Sequence, residues 1–278
     1  MLALELECWF SIVAVWLWVI KMKSITDFLK TVAKLRSKKG CPWDKEQTHK
    51  TLKRYLIEEA YETIDAIDNN DFNSLKEELG DVLLQIALHT QIAKENKKFT
   101  FDDVVKYINK KMISRHPHVF SNVIVKNTDE VLANWEVFKK NEKPDRKEVF
   151  DGIPNSLPAL LKALKVSKKA ARQGFEWEKE SDLWKTLNEE INEFKKAKNK
   201  DNQAEELGDL LFMIVNIARW YKLDPEDTLN KGIKKFITRY RKITTNLNKS
   251  KKQLKSLSAK ELNKEWEKVK HKERKYKK

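Results

Sequence analysis

The sequence predicts an all-α protein in which one helical unit is used twice. Three observations carry that reading. Gly and Pro number six each in 278 residues, beside many Lys, Glu and Leu, a balance that favours helices over a turn-rich β fold. Apolar side chains recur at spacings of three and four, the period of a helix face. The block Glu77-Glu78-Leu79-Gly80-Asp81 returns as Glu205-Glu206-Leu207-Gly208-Asp209. Nine Trp and twelve Phe exclude global disorder, and two cysteines exclude a disulfide scaffold.

The repetition extends beyond that block. Gly40-Cys41-Pro42-Trp43 is echoed by Gly174-Phe175-Glu176-Trp177, and the E-E-x-x-E of Glu58, Glu59 and Glu62 by Glu189, Glu190 and Glu193. Lys111-x-x-x-Arg115 is echoed by Lys235-x-x-x-Arg239, and Trp135-x-x-x-Lys139 by Trp266-x-x-x-Lys270. The pairs keep their order, with offsets between 124 and 134 residues. Two copies of one supersecondary unit account for this. The expected division is an apolar extension over 1–21, an N-terminal unit over 22–140, a linker over 141–158 and a C-terminal unit over 159–278. The linker holds three of the six prolines and Gly152.

Each unit reads as a helical hairpin. Residues 53–67 carry Leu56, Ala60, Ile64 and Ile67 on one face. A turn over 68–71 leads to a second helix from about Ser74, where Ser74 and Glu77 have the form of a capping box. Its apolar side holds Leu75, Leu79, Val82, Leu83 and Ile86. The second unit repeats this with Leu187, Ile191 and Phe194, then Leu207, Leu210, Leu211 and Ile214. Two such helices pack antiparallel. Further helices around 104–112 and 160–171, or a second copy of the chain, complete each bundle. Another helix is expected over 232–242.

The formal charge of +15 is unevenly spread: residues 249–278 hold thirteen Lys or Arg and four Asp or Glu, a net +9. Such a balance points to polyanions, whether nucleotides, nucleic acid or an acidic membrane surface, although a basic tail is commonly a solvated segment. Residues 9–20, WFSIVAVWLWVI, form an apolar run too short for an ordinary membrane span. It lacks a preceding basic region and a following small-residue cleavage site. Three readings stay open: a true start at Met22, an uncleaved anchor, or packing on the folded part. The first two keep the rest of the chain cytoplasmic, and membrane contact is expected only if the extension is real.

The acids carry the chemistry. Residues three or four apart share a helix face, so Glu59 and Glu62 point together, as do Glu78 and Asp81. If the hairpin aligns these faces, four carboxylates converge. Glu190, Glu193, Glu206 and Asp209 do the same in the second unit. Like charges this close raise one another's pKa unless a cation neutralises them. The hard cation for several carboxylate oxygens is Mg²⁺, with Mn²⁺ in its place. Glutamate pairs also decorate solvated helix faces, but here they interrupt apolar helices. Gly80 and Gly208, each costing about 1 kcal/mol relative to Ala in a helix interior, suggest either close backbone approach at a site or a tight helix crossing. Lys235 and Arg239 on one helix face suit phosphates, or else form an ordinary solvated face in so basic a chain. Trp266 with Lys270 suits a base and a phosphate, or else anchors the last helix to the core. His116-Pro117-His118 lacks metal spacing and reads as a turn, and His49 and His89 read as structural. There is no P-loop, GxGxxG or GxSxG motif.

The E-E-x-x-E and E-x-x-D pairs on adjacent helices, with Gly40-Cys41-Pro42-Trp43-Asp44, the Arg115-to-Phe120 segment RHPHVF and Gly174-Phe175-x-Trp177, resemble the two-domain MazG family of nucleoside triphosphate pyrophosphohydrolases. The resemblance runs over residues 25–270. It implies tandem MazG-like helical bundles of the all-α NTP pyrophosphatase type in a homodimer. It also implies Mg²⁺-dependent hydrolysis of NTP or dNTP to the monophosphate and pyrophosphate, in nucleotide-pool control or house-cleaning, with the C-terminal unit catalytic. By motif match, Glu190, Glu193, Glu206 and Asp209 hold metal, Glu190 and Glu193 also acting in catalysis with Glu189 available as a further carboxylate. Lys235, Arg239, Trp266 and Lys270 hold the nucleotide. The N-terminal counterparts are Glu59, Glu62, Glu78 and Asp81 for metal and, more weakly, Lys111, Arg115, Trp135 and Lys139 for substrate. No sequence-specific nucleic-acid binding is expected. The rivals are a related all-α enzyme acting on dUTP or phosphoribosyl-ATP, and a non-catalytic nucleic-acid-binding or scaffold protein.

Overall fold

The computed structural model describes residues 23–128, 130, 131, 134, 135, 138, 142, 148–250 and 253–275, and every regular element among the described residues is helical. The apolar extension over 1–21 and Lys139 lie outside the described residues. The chain divides into two compact units after Glu142.

The first unit contains α1 (23–35), α2 (Pro42–Glu46), α3 (Lys53–Asp68), α4 (Phe72–Glu95), α5 (Phe101–Arg115) and the single turn α6 (Pro117–Phe120). The hairpin is α3 against α4. Asn70, at φ 54°, turns the chain between them. Ser74 does not start α4 as a capping box predicts. Asp71 caps it instead, accepting from the backbone N–H groups of Asn73 at 3.1 Å and Ser74 at 3.2 Å. A carboxylate satisfies two orphan donors and adds negative charge where the helix dipole favours it. A reciprocal capping box occurs one helix later, between Thr100 and Asp103. The core gathers Val32, Leu52, Ala87, Leu88 and Ile92. Arg36, following α1, grips Glu95 at the end of α4 through both carboxylate oxygens.

One feature of α3 departs from expectation. Leu56, Ile64 and Ile67 stay 39%, 50% and 54% exposed. The sheltered positions are Tyr55, Glu59, Thr63 and Ala66. The apolar stripe therefore faces away from the hairpin, and an acid occupies the inward face.

The second unit contains α7 (Ala159–Arg172), α8 (Glu180–Lys196), α9 (Lys200–Trp220), α10 (Pro225–Lys249), the 3₁₀ turn Leu254–Ser256 and α11 (Ala259–Lys275). α9 packs on α8 and α7, and α10 on α7 and α11. Leu164, Leu183, Met213, Val215 and Ala218 are buried. A chain of polar contacts crosses α7 and α9: Arg219 Nε donates to Ser167 Oγ at 2.6 Å, and Ser167 donates to Asn216 Oδ1 at 2.6 Å. α10 is longer than expected because Asp224 caps it, accepting from Asp227 N–H at 3.0 Å, with Pro225 in its first turn. Leu207, Leu211 and Ile214 of α9 are 43%, 52% and 47% exposed, and α10 shows Ile233, Phe236 and Tyr240 to solvent.

Candidate active site

In the second unit α8 and α9 bring Glu190, Glu193 and Glu206 together, each offering a carboxylate oxygen within 4.8 Å of the others. Glu190 and Glu206 are half-buried and Glu193 is exposed. Burial, followed by the charges of Asp209, Glu193, Glu206 and Glu189, pushes the Glu190 carboxyl above its ordinary range. Burial, then Glu193, Asp209 and Glu205, does the same to Glu206. Asp209 thus belongs to the cluster electrostatically. The first unit repeats the arrangement with Glu59, Glu78 and Asp81 within 4.8 Å. Glu59 is raised by burial and then by Asp81, Glu62 and Glu58, and Glu78 by burial and then by Glu62 and Asp81. All eight acids predicted from the repeat therefore interact, four to a unit. Glu189 is exposed and lies 3.8 Å from Lys185 one turn earlier, reaching the cluster only through its charge on Glu190.

Beside the second cluster lies a cavity of about 440 Å³. Glu190 and Asp209 form one wall, and Val149, Phe150, Phe175, Trp177, Phe212 and Met213 make most of the rest. Among the described residues, no Lys or Arg lines it. Gly174, at φ 90°, turns the chain so that Phe175 and Trp177 reach the cavity. Trp177 Nε1 donates to Thr186 Oγ1 at 3.2 Å, and Arg219 pairs with Glu176 in the same segment. The polar groups of Asn216 and Thr186 are already engaged within the fold. The open chemistry of the cavity is thus two carboxylates and the Gln173 amide beside an aromatic wall. Such a set fits a divalent cation with a flat ring stacked nearby. Among the described residues, no Lys or Arg pairs with Glu190, Glu193, Glu206 or Asp209.

Sequence reasoning missed Val149, Phe150, Phe212 and Met213. The first two fall in the stretch read as linker, which Lys169 holds to the second unit by donating to the carbonyls of Val149 at 2.6 Å and Asp151 at 3.3 Å. The signal was Gly152, two residues after Phe150, which turns the chain at φ 77°.

The expected nucleotide-binding residues sit elsewhere. Lys235 and Arg239 line a groove between α10 and α11 that shares no lining residue with the acidic cavity. Arg239 donates to Glu273 at 2.9 Å and lies 5.4 Å over the Trp266 ring. Trp266 packs against Ile243, Leu247 and Val269, and Lys270 pairs with Glu267 at 3.0 Å. In the first unit Arg115 is buried and paired with Glu142, Trp135 lies 5.6 Å from the His116 ring, and Lys111 adds positive potential at Glu142. Gly80 and Gly208 make no close approach: a Cβ at either meets nothing within 4 Å. His49 and His89 face each other, Nδ1 to Nδ1 at 2.7 Å.

These features define a tandem all-α protein with one acidic cluster per unit. The description of the MazG nucleotide pyrophosphohydrolase domain matches residues 47–120 and 178–244, one segment in each unit. The chain is 42% identical over 245 residues to the nucleoside triphosphate pyrophosphohydrolase/pyrophosphatase MazG of Thermotoga maritima, covering 88% of this chain and 94% of that one. It is 41% identical over 230 residues to the nucleoside triphosphate pyrophosphohydrolase of Escherichia coli K12, covering 80% and 88%. It is 46% identical over 252 residues to the uncharacterised protein YabN of Bacillus subtilis, covering 89% of this chain and 52% of that protein. The chain belongs to the MazG family.

Proposed function

We propose that the chain is a nucleoside triphosphate pyrophosphohydrolase that hydrolyses NTP or dNTP to the monophosphate and pyrophosphate in the cytoplasm. The observation that carries this reading is the uncompensated acidic cluster opening onto an aromatic cavity in the second unit. Glu190, Glu193, Glu206 and Asp209 would hold Mg²⁺ or Mn²⁺, which when bound supplies charge neutralisation for the phosphates. The base enters the cavity against Trp177 and Phe212. Glu190 and Glu193 orient water toward the α–β anhydride, whose P–O bond breaks to release pyrophosphate. Glu59, Glu62, Glu78 and Asp81 form a second, analogous cation site.

No cation lines the cavity among the described residues, so on this reading the phosphates take partners from outside it. Lys235 has no acidic partner among the described residues and, with Arg239, Trp266 and Lys270, remains the nucleotide-contact set. A homodimer supplies them and at the same time buries the exposed stripes of α3, α9 and α10.

The test is incubation with each canonical NTP and dNTP plus Mg²⁺, resolving monophosphate and pyrophosphate from diphosphate and phosphate. Glu193→Gln should lose turnover by at least about a hundredfold. A variant with wild-type turnover removes the second unit from catalysis, and Glu62→Gln then tests the first. A single species at monomer mass in light scattering overturns the homodimer.

A further inference from the structure

The wall segment that carries Phe175 and Trp177 is fastened to α9 by a chain of polar contacts. Arg219 donates through one guanidinium nitrogen to Glu176 Oε1 at 2.7 Å, and a second nitrogen bonds Glu176 Oε2. The same Oε1 accepts the backbone N–H of Trp177 at 3.0 Å. On its other side Arg219 Nε donates to Ser167 Oγ at 2.6 Å, and Ser167 donates to Asn216 Oδ1 at 2.6 Å. The Asn216 amide then donates to the Phe212 carbonyl at 3.0 Å. The chain thus runs from the backbone of one aromatic wall residue to the backbone of the other.

Arg219 does not line the cavity. It stands ten residues beyond Asp209 on α9, about 15 Å at the helical rise of 1.5 Å per residue. Any effect it has on substrate therefore passes through another group. Its side chain is only 11% exposed. A buried ion pair seldom gains stability over an apolar replacement of similar volume, so stability alone does not account for the pair.

The first unit shows that the fold closes without this chain. Counted from the paired motifs, Gln91 stands for Arg219, Leu88 for Asn216, Ala33 for Ser167 and Pro42 for Glu176. Tyr55 stands for Thr186. There Trp43 packs edge-on against the Tyr55 ring at 5.8 Å, and Tyr55 lies on the core. The second unit has the small Thr186 at that place and a cavity in front of Trp177. Polar contacts to its indole and its backbone take over the support that a neighbouring ring gives in the first unit.

We propose that Arg219 is a positioning residue for the nucleotide base: gripping Glu176, it holds Trp177 in register with α9, the helix that carries Glu206 and Asp209. This rests on the reading that a base enters the cavity. The wall is then in place before the base arrives, and binding does not have to order it. Loosening the wall removes binding that substrate and transition state share, so KM carries the effect.

The experiment compares wild type, Arg219→Lys, Trp177→Ala and their double variant in steady-state NTP hydrolysis, with pyrophosphate as a base-free product inhibitor. Lysine keeps the charge but lacks the fork that reaches Ser167 and both Glu176 oxygens together. Arg219→Lys should raise KM about tenfold with kcat within about twofold, and leave the pyrophosphate inhibition constant unchanged. Added to Trp177→Ala, it should cost less than about a further twofold, since both changes act on one wall. Glu176→Gln keeps the side-chain shape and leaves Arg219 bonded to Ser167; it should raise KM by a smaller factor, and it carries the test if Arg219→Lys fails to fold. A loss confined to kcat overturns the proposal. So does an equal rise in the pyrophosphate inhibition constant, which places the damage at the acidic cluster, and so do losses that multiply in the double variant. Unchanged KM in both Arg219→Lys and Glu176→Gln overturns it as well. Each of these outcomes leaves the hydrolase reading standing. Wild type that releases no pyrophosphate from any NTP removes that reading and this inference with it.

Discussion

Replacing Glu190 with Gln distinguishes a cation site from an ordinary acidic surface. The change keeps the shape of the side chain and removes one charge. In the wild type a Glu190 oxygen lies within 4.8 Å of oxygens of Glu193 and Glu206. Each of those two repulsions is worth about 0.9 kcal/mol at that distance in a water-like dielectric, and roughly 0.5 kcal/mol at 0.1 M salt. The direction follows from linkage. Burial and then the neighbouring acids raise the folded-state pKa of Glu190. A carboxyl raised on folding contributes stability while it is protonated, and that contribution is lost as pH rises through the folded value. At neutral pH in EDTA, Glu190→Gln is therefore expected to be more stable by about 1 kcal/mol, a rise of roughly 2–4 °C in thermal midpoint. With Mg²⁺ at a hundredfold excess over its Kd the order inverts, because the wild type gains about 2.7 kcal/mol that the variant forgoes. Differential scanning fluorimetry of both proteins with EDTA and with Mg²⁺ reads all four midpoints. A variant no more stable than wild type in EDTA, with an undiminished Mg²⁺ shift, would refute the reasoning.

Three further outcomes are expected. Because Glu190 and Glu206 are both raised, protons compete with the cation from a higher pH than an ordinary glutamate dictates; the Mg²⁺ activation constant should rise on acidification from pH 7, and a constant value down to pH 5 counts against the assignment. Gly208→Ala should gain up to about 1 kcal/mol of helix stability, since its Cβ meets nothing, whereas Gly40→Ala should cost about 2 kcal/mol or more, since its Cβ would sit 2.1 Å from the Leu35 carbonyl oxygen; denaturant midpoints moving in the same direction would contradict this. Trp177→Ala should raise KM about tenfold through lost base contact while largely sparing kcat, and a loss confined to kcat in steady-state kinetics removes Trp177 from base binding.

The hairpins and both acidic clusters were legible because two strong local signals coincide in them: helical periodicity and a repeated string of acids. Helix starts were less so. Ser74 and Glu77 have the letters of a capping box, but Asp71 three residues earlier offers a charged acceptor to the Asn73 and Ser74 amides, and the helix starts there instead. The cavity was half-legible. Trp177 belongs to a repeated motif, whereas Phe150 and Val149 fall in a Pro- and Gly-containing stretch whose folding back depends on Lys169 and on the turn at Gly152. Composition there signals a turn without saying which unit receives it. The basic residues were legible as chemistry: Lys235 and Arg239 carry the spacing for phosphate contact, and within one chain their helix face lines a groove of its own.

The orientation of α3 ties these threads together. Periodicity alone assigns its apolar face to the hairpin, because burial of Leu, Ile and Tyr is the usual reason for such a stripe. Here the inward face carries Glu59 and the outward face carries Leu56, Tyr61, Ile64 and Ile67. An acid between two helices of one unit costs stability unless a cation arrives, and an apolar stripe in water costs stability unless a second surface covers it. Both penalties are relieved by ligation from outside, the first by metal and the second by another helical face. Exposed Leu207 and Leu211 flank the acids of α9 in the second unit in the same way. On the proposed reading, a surface docking on those leucines would stand next to the acidic cluster and would bring the cations that the described cavity wall lacks. Assembly and phosphate binding are therefore expected to be coupled, with Mg²⁺ and a nonhydrolysable triphosphate shifting the chain toward the dimer at concentrations where the metal-free protein dissociates.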